Sequence, residues 1–264
     1  MEQAYRLPSV RTVGLDAPFR WLAEGWRDMM RALIPSLFYG AVLAIVSFTL
    51  SNALINSNAA FWALALSCGF VFIAPVLAMG LYEAGRTLET GEKPTLSQML
   101  FVRAALRQDI AYLGLALLLI YLLWGRVAQI VYGLSTFRLH TTASEFMDFA
   151  LHTGEGHAML ITGTIIGGGI AFFTYCLVVV STPMLLDQRV NVFAATFISL
   201  RAVSKNFAPL LLWAFIIAAF VLASAATWFM AFVVVFPWLG LSSWRAYRDL
   251  VQENVTQSAE ILPV

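Results

Sequence analysis

The residues best suited to chemistry are three histidines. His140, His152 and His157 fall within 135–157, beside Glu145, Asp148 and Glu155. Imidazoles and carboxylates are metal ligands, and His-Thr-Gly-Glu-Gly-His at 152–157 sets two imidazoles five residues apart. That spacing, with two glycines inside it, matches neither the helical i, i+4 zinc pair nor a finger. Solvated loop side chains are the plainer expectation. A second candidate is Arg126 with Gln129, polar residues inside an apolar run, where an ionisable group is a functional candidate. A third is Glu83 with Arg86, three apart and able to pair on one helical face. Cys68 and Cys176 sit singly in apolar runs and read as packing residues. There is no nucleophile elbow, no HExxH and no phosphate-cradling loop. The expectation is no catalytic residue, no metal site, no cofactor and a non-enzymatic chain.

The elements that must carry these residues follow from composition. Of 264 residues 60% are hydrophobic and 12% charged, with mean hydropathy +0.79. A soluble domain carries about 25% charged residues, so there are too few here to cover a soluble surface. The net charge of +1 also excludes a disordered or nucleic-acid-binding chain. A polytopic, all-α membrane protein remains. The arginines of the first 31 residues are followed by no short apolar region with a cleavage site, so the first apolar run should be an uncleaved anchor.

Apolar runs fall at about 32–56, 59–84, 110–134, 158–186, 208–225 and 227–244. A helix rises about 1.5 Å per residue and needs 17–25 residues to cross roughly 30 Å of hydrocarbon. The stretch 208–244 is too long for one span and long enough for two, with Ala223–Thr227 as the expected turn. Six helices with both termini cytoplasmic put fourteen of the 16 Lys and Arg residues inside, leaving only Arg126 and Arg138 outside. A five-helix count would strand Arg245 and Arg248 outside. On this count residues 1–15 are an N-terminal tail, 16–245 the membrane domain and 246–264 a C-terminal tail. Arg126 then lies about 24 Å beyond Ile110, within snorkelling reach of the outer edge. An interface anchor and an internal polar pathway both stay open for it.

Three cytoplasmic segments read as short interfacial amphipathic helices. Residues 18–31 set Phe19, Leu22, Trp26 and Met29 on one face, with Asp16 as cap and Pro18 in the first turn. Residues 95–109 open with a capping box, Thr95 to Gln98, and align Met99, Val102 and Leu106. Residues 190–206 align Val190, Phe193, Phe197 and Leu200. Pro75, Pro183 and Pro237 mark the last helix of each unit, which suggests a threefold hairpin repeat. Gly163, Gly167 and Gly168 offer a close-packing or partner surface. Glu145 to Phe149 suggests a short outer helix.

Residues 68–92, from Cys-Gly-Phe-Val-Phe-Ile-Ala-Pro to Glu-Thr-Gly-Glu, resemble a signature of a bacterial family of integral membrane proteins, catalogued as domain of unknown function 2189. Residues 183–190 (Pro-Met-Leu-Leu-Asp-Gln-Arg-Val), 199–206 (Ser-Leu-Arg-Ala-Val-Ser-Lys-Asn) and 21–28 (Trp-Leu-Ala-Glu-Gly-Trp-Arg-Asp) fit the same resemblance. It extends over about 12–245. The family implies a bacterial inner-membrane location and brings no site residues with it. Some relatives carry a cytochrome c oxidase label, and a haem-copper subunit holds its metals on histidines inside membrane helices. All three histidines here lie in one loop, so a catalytic subunit of that kind is excluded.

The leading expectation is an accessory or assembly protein that binds another membrane protein complex, with a respiratory complex as one candidate. A small transporter or channel is the alternative, motivated by the repeat, the prolines and Arg126. Quinone or lipid binding at Tyr82, Trp238, Trp244 and Tyr247 is a third, against the simpler reading of an aromatic belt.

Overall fold

The computed structural model describes residues 8–57, 60–138, 140 and 142–252. In chain order the elements are β1 (Ser9–Val10), α1 (Ala17–Arg31), α2 (Leu33–Asn56), α3 (Ala60–Leu77), α4 (Met79–Glu89), α5 (Leu96–Leu100), α6 (Gln108–Ser135), α7 (Ala143–His152), α8 (Gly154–Val178), α9 (Ser181–Asp187), α10 (Val192–Lys205), α11 (Phe207–Ala226), α12 (Phe232–Leu250) and β2 (Val251–Gln252). Apolar runs of this length can satisfy their backbone in lipid only as helices. Five stretches are long and apolar enough to cross a membrane: Leu33–Asn56, Phe61–Glu89, Gln108–Ser135, Gly154–Asp187 and Phe207–Ala226.

The expected sixth run corresponds to α12, whose C-terminal third carries Arg245, Arg248 and Asp249. Its turn differs from expectation. Ala223–Ala226 complete α11, and the chain reverses at 227–231, where Trp228 and Phe229 take positive φ of 54° and 63°. Left-handed backbone stops the helix there without a glycine or proline, so no punctuating residue marks it in the sequence.

β1 pairs antiparallel with β2, Ser9 opposite Gln252 and Val10 opposite Val251. Asn206, just before α11, donates from Nδ2 to Arg11 O and accepts from Val13 N at Oδ1. β1, β2, the start of α11 and the end of α12 therefore meet at one end of the bundle, the terminal end. At the far end α7 packs Phe146 and Phe149 with Tyr132 of α6 and Met159 of α8, and Phe146 lies against Phe61 of α3.

Two of the long stretches are broken near a proline. Between α3 and α4 the Leu81 and Tyr82 amides both turn to Ala78 O, and the freed Leu77 carbonyl accepts the Tyr39 hydroxyl at 2.7 Å. Between α8 and α9 the Val180 amide donates to Ser199 Oγ at 3.2 Å, and Ser199 Oγ donates to Cys176 O at 2.8 Å. Cys176 O is the i−4 acceptor Val180 would have in an unbroken helix. A buried side-chain hydroxyl has been inserted into the ladder, one of the few recognised causes of a kink.

Burial is concentrated at the terminal end. All but one residue of α9 and more than half of α4 and α12 are buried, whereas α2 buries only Ser36, Gly40 and Ala44. The terminal end holds Trp21, Met29, Leu81, Met99, Met184, Leu185, Ile198, Trp244, Tyr247 and Leu250 in one core. A smaller cluster between the spans packs Ala65 and Phe72 of α3 with Trp124 and Ala128 of α6. Val10, Ala246, Tyr247, Leu250 and Val251, beyond or at the expected limits of the membrane domain, are part of the terminal-end core.

The amphipathic segments form, with altered faces. α1 starts at Ala17 with Pro18 in its first turn, but Asp16 makes no capping bond and pairs with Arg20 instead. Its buried side is Trp21, Gly25, Asp28 and Met29, while Phe19 and Trp26 are exposed. The expected helix 95–109 breaks into α5 and a 3₁₀ turn, Arg103–Leu106. Its capping box between Thr95 and Gln98 is present, with Met99 and Val102 buried. The side chain of Leu106 lies outside the described residues. α10 buries Ala195, Ile198, Ser199, Ala202 and Val203, and turns Phe193, Phe197 and Leu200 outward. Val190 is buried just ahead of it.

Candidate functional site

The densest polar chemistry lies inside the terminal-end layer, where α4, α9 and α12 meet and α1 closes over them. α12 is amphipathic there: after Leu241 its sequence turns to Ser-Ser-Trp-Arg-Ala-Tyr-Arg-Asp. Helical spacing puts Trp244, Arg245 and Arg248 on the sides that meet α4 and α1. Glycines let the elements come together. A Cβ on Gly25 would lie 2.6 Å from Ser242 N, one on Gly40 2.3 Å from Val233 O, and one on Gly85 2.6 Å from the Trp244 ring. Val233 is four residues before Pro237, which has no N–H to offer its carbonyl. The Val233 carbonyl faces α2 at Gly40.

Arg245 Nε lies 2.5 Å from Asp28 Oδ2 on α1, and its Nη1 lies 3.5 Å from Glu89 Oε1 on α4. Arg248 Nε is 3.3 Å from Glu89 Oε2, and its Nη1 is 3.4 Å from Asp187 Oδ2 on α9. Trp244 Nε1 donates to Glu89 Oε1 at 3.0 Å. The Tyr247 hydroxyl donates to Asp187 Oδ2 at 2.7 Å and accepts from Gln188 Nε2 at 3.1 Å. Three carboxylates and two guanidiniums thus bind four helices in one network. Burial, then the Asp187 carboxylate, pushes the Tyr247 hydroxyl far above the ordinary phenol range, so it stays protonated as a donor. A neighbouring carboxylate, Asp249, receives Arg11 and Arg20 at 3.2 Å each and Trp21 Nε1 at 3.0 Å, which clamps the N-terminal segment to α12.

Asp28, Glu89 and Asp187 were not among the residues the sequence singled out as site candidates, and Tyr247 was read there only as part of an aromatic inner interface. Pro237 with Trp244 at +7 and Arg248 at +11, echoing Pro75, Tyr82 and Arg86, was the available signal. Read as surface charge, Arg245 and Arg248 gave no hint of their acidic partners on three other helices.

The expected candidates lie elsewhere. Glu83 and Arg86 do pair, Arg86 Nη2 donating to Glu83 Oε1 at 2.7 Å, while Glu83 Oε2 is buried without a hydrogen bond. Arg126 Nη1 donates to Gln129 Oε1 at 3.2 Å, and both side chains are exposed on α6. Gly167 abuts the Trp124 ring, where a Cβ would come within 2.6 Å, and Trp124 Nε1 donates to Ala65 O at 2.7 Å. Gly163 and Gly168 have nothing within 4 Å of an added Cβ.

The histidines are dispersed. His140 bonds the Tyr132 hydroxyl at 3.0 Å and stacks on Phe149, exposed His152 lies 3.2 Å from Asp148, and His157 Nε2 reaches Leu151 O. Among the described residues no three His, Cys, Asp or Glu groups converge as a metal site. The expected outer helix is α7, opened by a capping box between Thr142 and Glu145. A cavity of about 730 Å³ beside it is lined by Arg138, His140, Glu145, Asp148 and Glu155 among others.

Residues 63–187 match the model of a family described as predicted integral membrane protein, DUF2189. The stretches 21–28 and 199–206 lie outside that match. No curated protein and no solved structure matches the chain.

Proposed function

We propose that the chain is a non-enzymatic, six-span protein of the bacterial inner membrane that docks another membrane protein complex within the bilayer. The sixth span is supported by parity. β1 pairs with β2, so residues 9–10 and 251–252 share one side, and an even number of crossings must separate them. α11 leaves Asn206 and α12 returns to Val251, both beside the N-terminal segment, so α12 retraces the height of α11. With the arginine bias, this favours a cytoplasmic terminal end. The three proline-marked segments meet one another there, in keeping with a threefold hairpin repeat.

The observation that carries docking is the exposed face of α2 beyond Ala44. Its buried residues, Ser36, Gly40 and Ala44, all lie in the half next to the terminal layer. Beyond them Ile45, Val46, Phe48 and Leu50 are exposed. Without a hydrophobic drive between helices in lipid, a span is held by close packing. Beyond Ala44, α2 has no fully buried residue among those described, and its exposed face is open to another protein. The engagement of Asp28, Glu89 and Asp187 with protein partners supports an architectural role for the network over a catalytic one. The outward Arg126–Gln129 pair lends no support to an internal transport path.

The test places a photo-crosslinking amino acid at Phe48 or Leu50 in native membranes. A discrete adduct with one membrane protein is the expected result, and the label carried by some relatives makes a respiratory complex the first partner class to examine. Crosslinking to lipid alone at both positions would overturn the docking reading.

A further inference from the structure

A cleft of about 440 Å³, lined by Arg107, Asp109, Arg189, Val190 and Asn191, opens at the terminal end between the starts of α6 and α10. Arg107 Nη1 is fixed by Leu185 O at 2.8 Å and Gln188 O at 2.9 Å, so the guanidinium is held in place by two carbonyls of the α9 end. Arg189 is exposed and makes no ion pair to any described residue. Asn191 Oδ1 caps Ala194 N at 2.7 Å, which leaves the amide NH₂ as a donor. Asp109 Oδ1 accepts Val192 N at 3.0 Å, which leaves the second carboxylate oxygen as an acceptor.

Two guanidiniums and an amide suit a phosphate, and guanidinium–phosphate hydrogen bonds are among the strong ones. The free oxygen of Asp109 disfavours a bare anion and suits a ligand that also carries an amine or hydroxyl. Depth suits the same ligand. The 28 residues of α6 extend about 42 Å, the thickness of a bilayer with its headgroups, so Arg107 and Asp109 sit at headgroup level. Beside the cleft α10 turns Phe193, 83% exposed, and Phe197 outward, an apolar rim against which acyl chains can lie.

We infer that this cleft binds the headgroup of a phospholipid, with the phosphodiester on Arg107, Arg189 and Asn191 and a headgroup amine or hydroxyl on Asp109. The site is independent of the docking surface on α2. It depends only on the terminal end lying at a membrane face.

The test uses the full chain, delipidated in detergent, and native mass spectrometry with added phosphatidylglycerol, phosphatidylethanolamine or phosphatidylcholine. Lipids with a headgroup donor should be retained over phosphatidylcholine, whose quaternary amine has none. Arg189→Gln should lower that retention about tenfold, the loss of one charge-assisted contact. Arg201→Gln on the exposed side of α10 should leave it unchanged. Arg107→Gln should also lower retention, and if it fails to fold, Arg189→Gln decides alone. Equal retention by the wild type and Arg189→Gln would overturn the site, as would no preference over phosphatidylcholine. Displacement of the lipid by excess inorganic phosphate would overturn the lipid in favour of a soluble phosphate compound.

Discussion

Asp28 and Arg245 stand 217 positions apart in the chain and 2.5 Å apart in the fold. Asp28 is 2% exposed, so its charge depends on that contact and on the weaker approach of Arg31 at 3.5 Å. The pair fastens α1 to α12, and through Glu89 it reaches α4.

Removing one member of a buried pair leaves the other desolvated and uncompensated, at about 3–5 kcal/mol. Arg245→Met should therefore destabilise the protein by roughly that amount in reversible denaturation from mixed micelles. Asp28→Asn should cost less, because Arg245 keeps Glu89. The double variant should recover part of the loss. Additive losses in the double variant would contradict a direct coupling.

Ser199 offers a smaller and sharper test. Its hydroxyl serves both ends of the interrupted bond between Cys176 O and Val180 N. Ser199→Ala leaves two buried backbone groups unpaired and should cost about 1–3 kcal/mol. Exposed Ser204, whose hydroxyl only returns to Leu200 O, should tolerate alanine within about 0.5 kcal/mol. Equal midpoints for the two variants would remove the inserted hydroxyl from the account.

The glycines separate by what they face. Gly40→Ala drives a methyl into the Val233 carbonyl and should abolish correct assembly of α2 on α12, seen as aggregation on size exclusion. Gly163→Ala meets open space and should behave as wild type. Gly167→Leu should displace Trp124 and lower the thermal midpoint more than His152→Ala, whose side chain is exposed. Similar behaviour of Gly40→Ala and Gly163→Ala would contradict the close approach.

Pairing of β1 with β2 is testable without assuming any topology. Ser9→Cys with Gln252→Cys, opposite one another in an antiparallel pair, lie in the range a disulfide can bridge. Mild oxidation should shift the mobility of the monomer on a non-reducing gel. Each single cysteine should also react with an impermeant maleimide from the same membrane face. Labelling from opposite faces would break the parity argument for six spans.

The membrane class and the course of the long helices were legible because lipid gives an apolar run of twenty residues one structure. The boundaries at Leu33, Gln108 and Phe207 agree with the runs for that reason, and the capping box at Thr95 is a local pair of hydrogen bonds readable at a spacing of three. The reversal at Trp228 and Phe229 was hidden, since positive φ falls there on two aromatic residues and no glycine or proline marks it. Arg245 and Arg248 looked like charges marking a membrane face. Only the tertiary structure brought Asp28, Glu89 and Asp187 to them, from three other helices. Hydropathy records the solvent each segment needs, and that solvent acts on every residue separately. Partnership between charges distant in sequence depends on how helices cross, and small contacts such as Gly25 on Ser242 and Gly40 on Val233 decide that crossing.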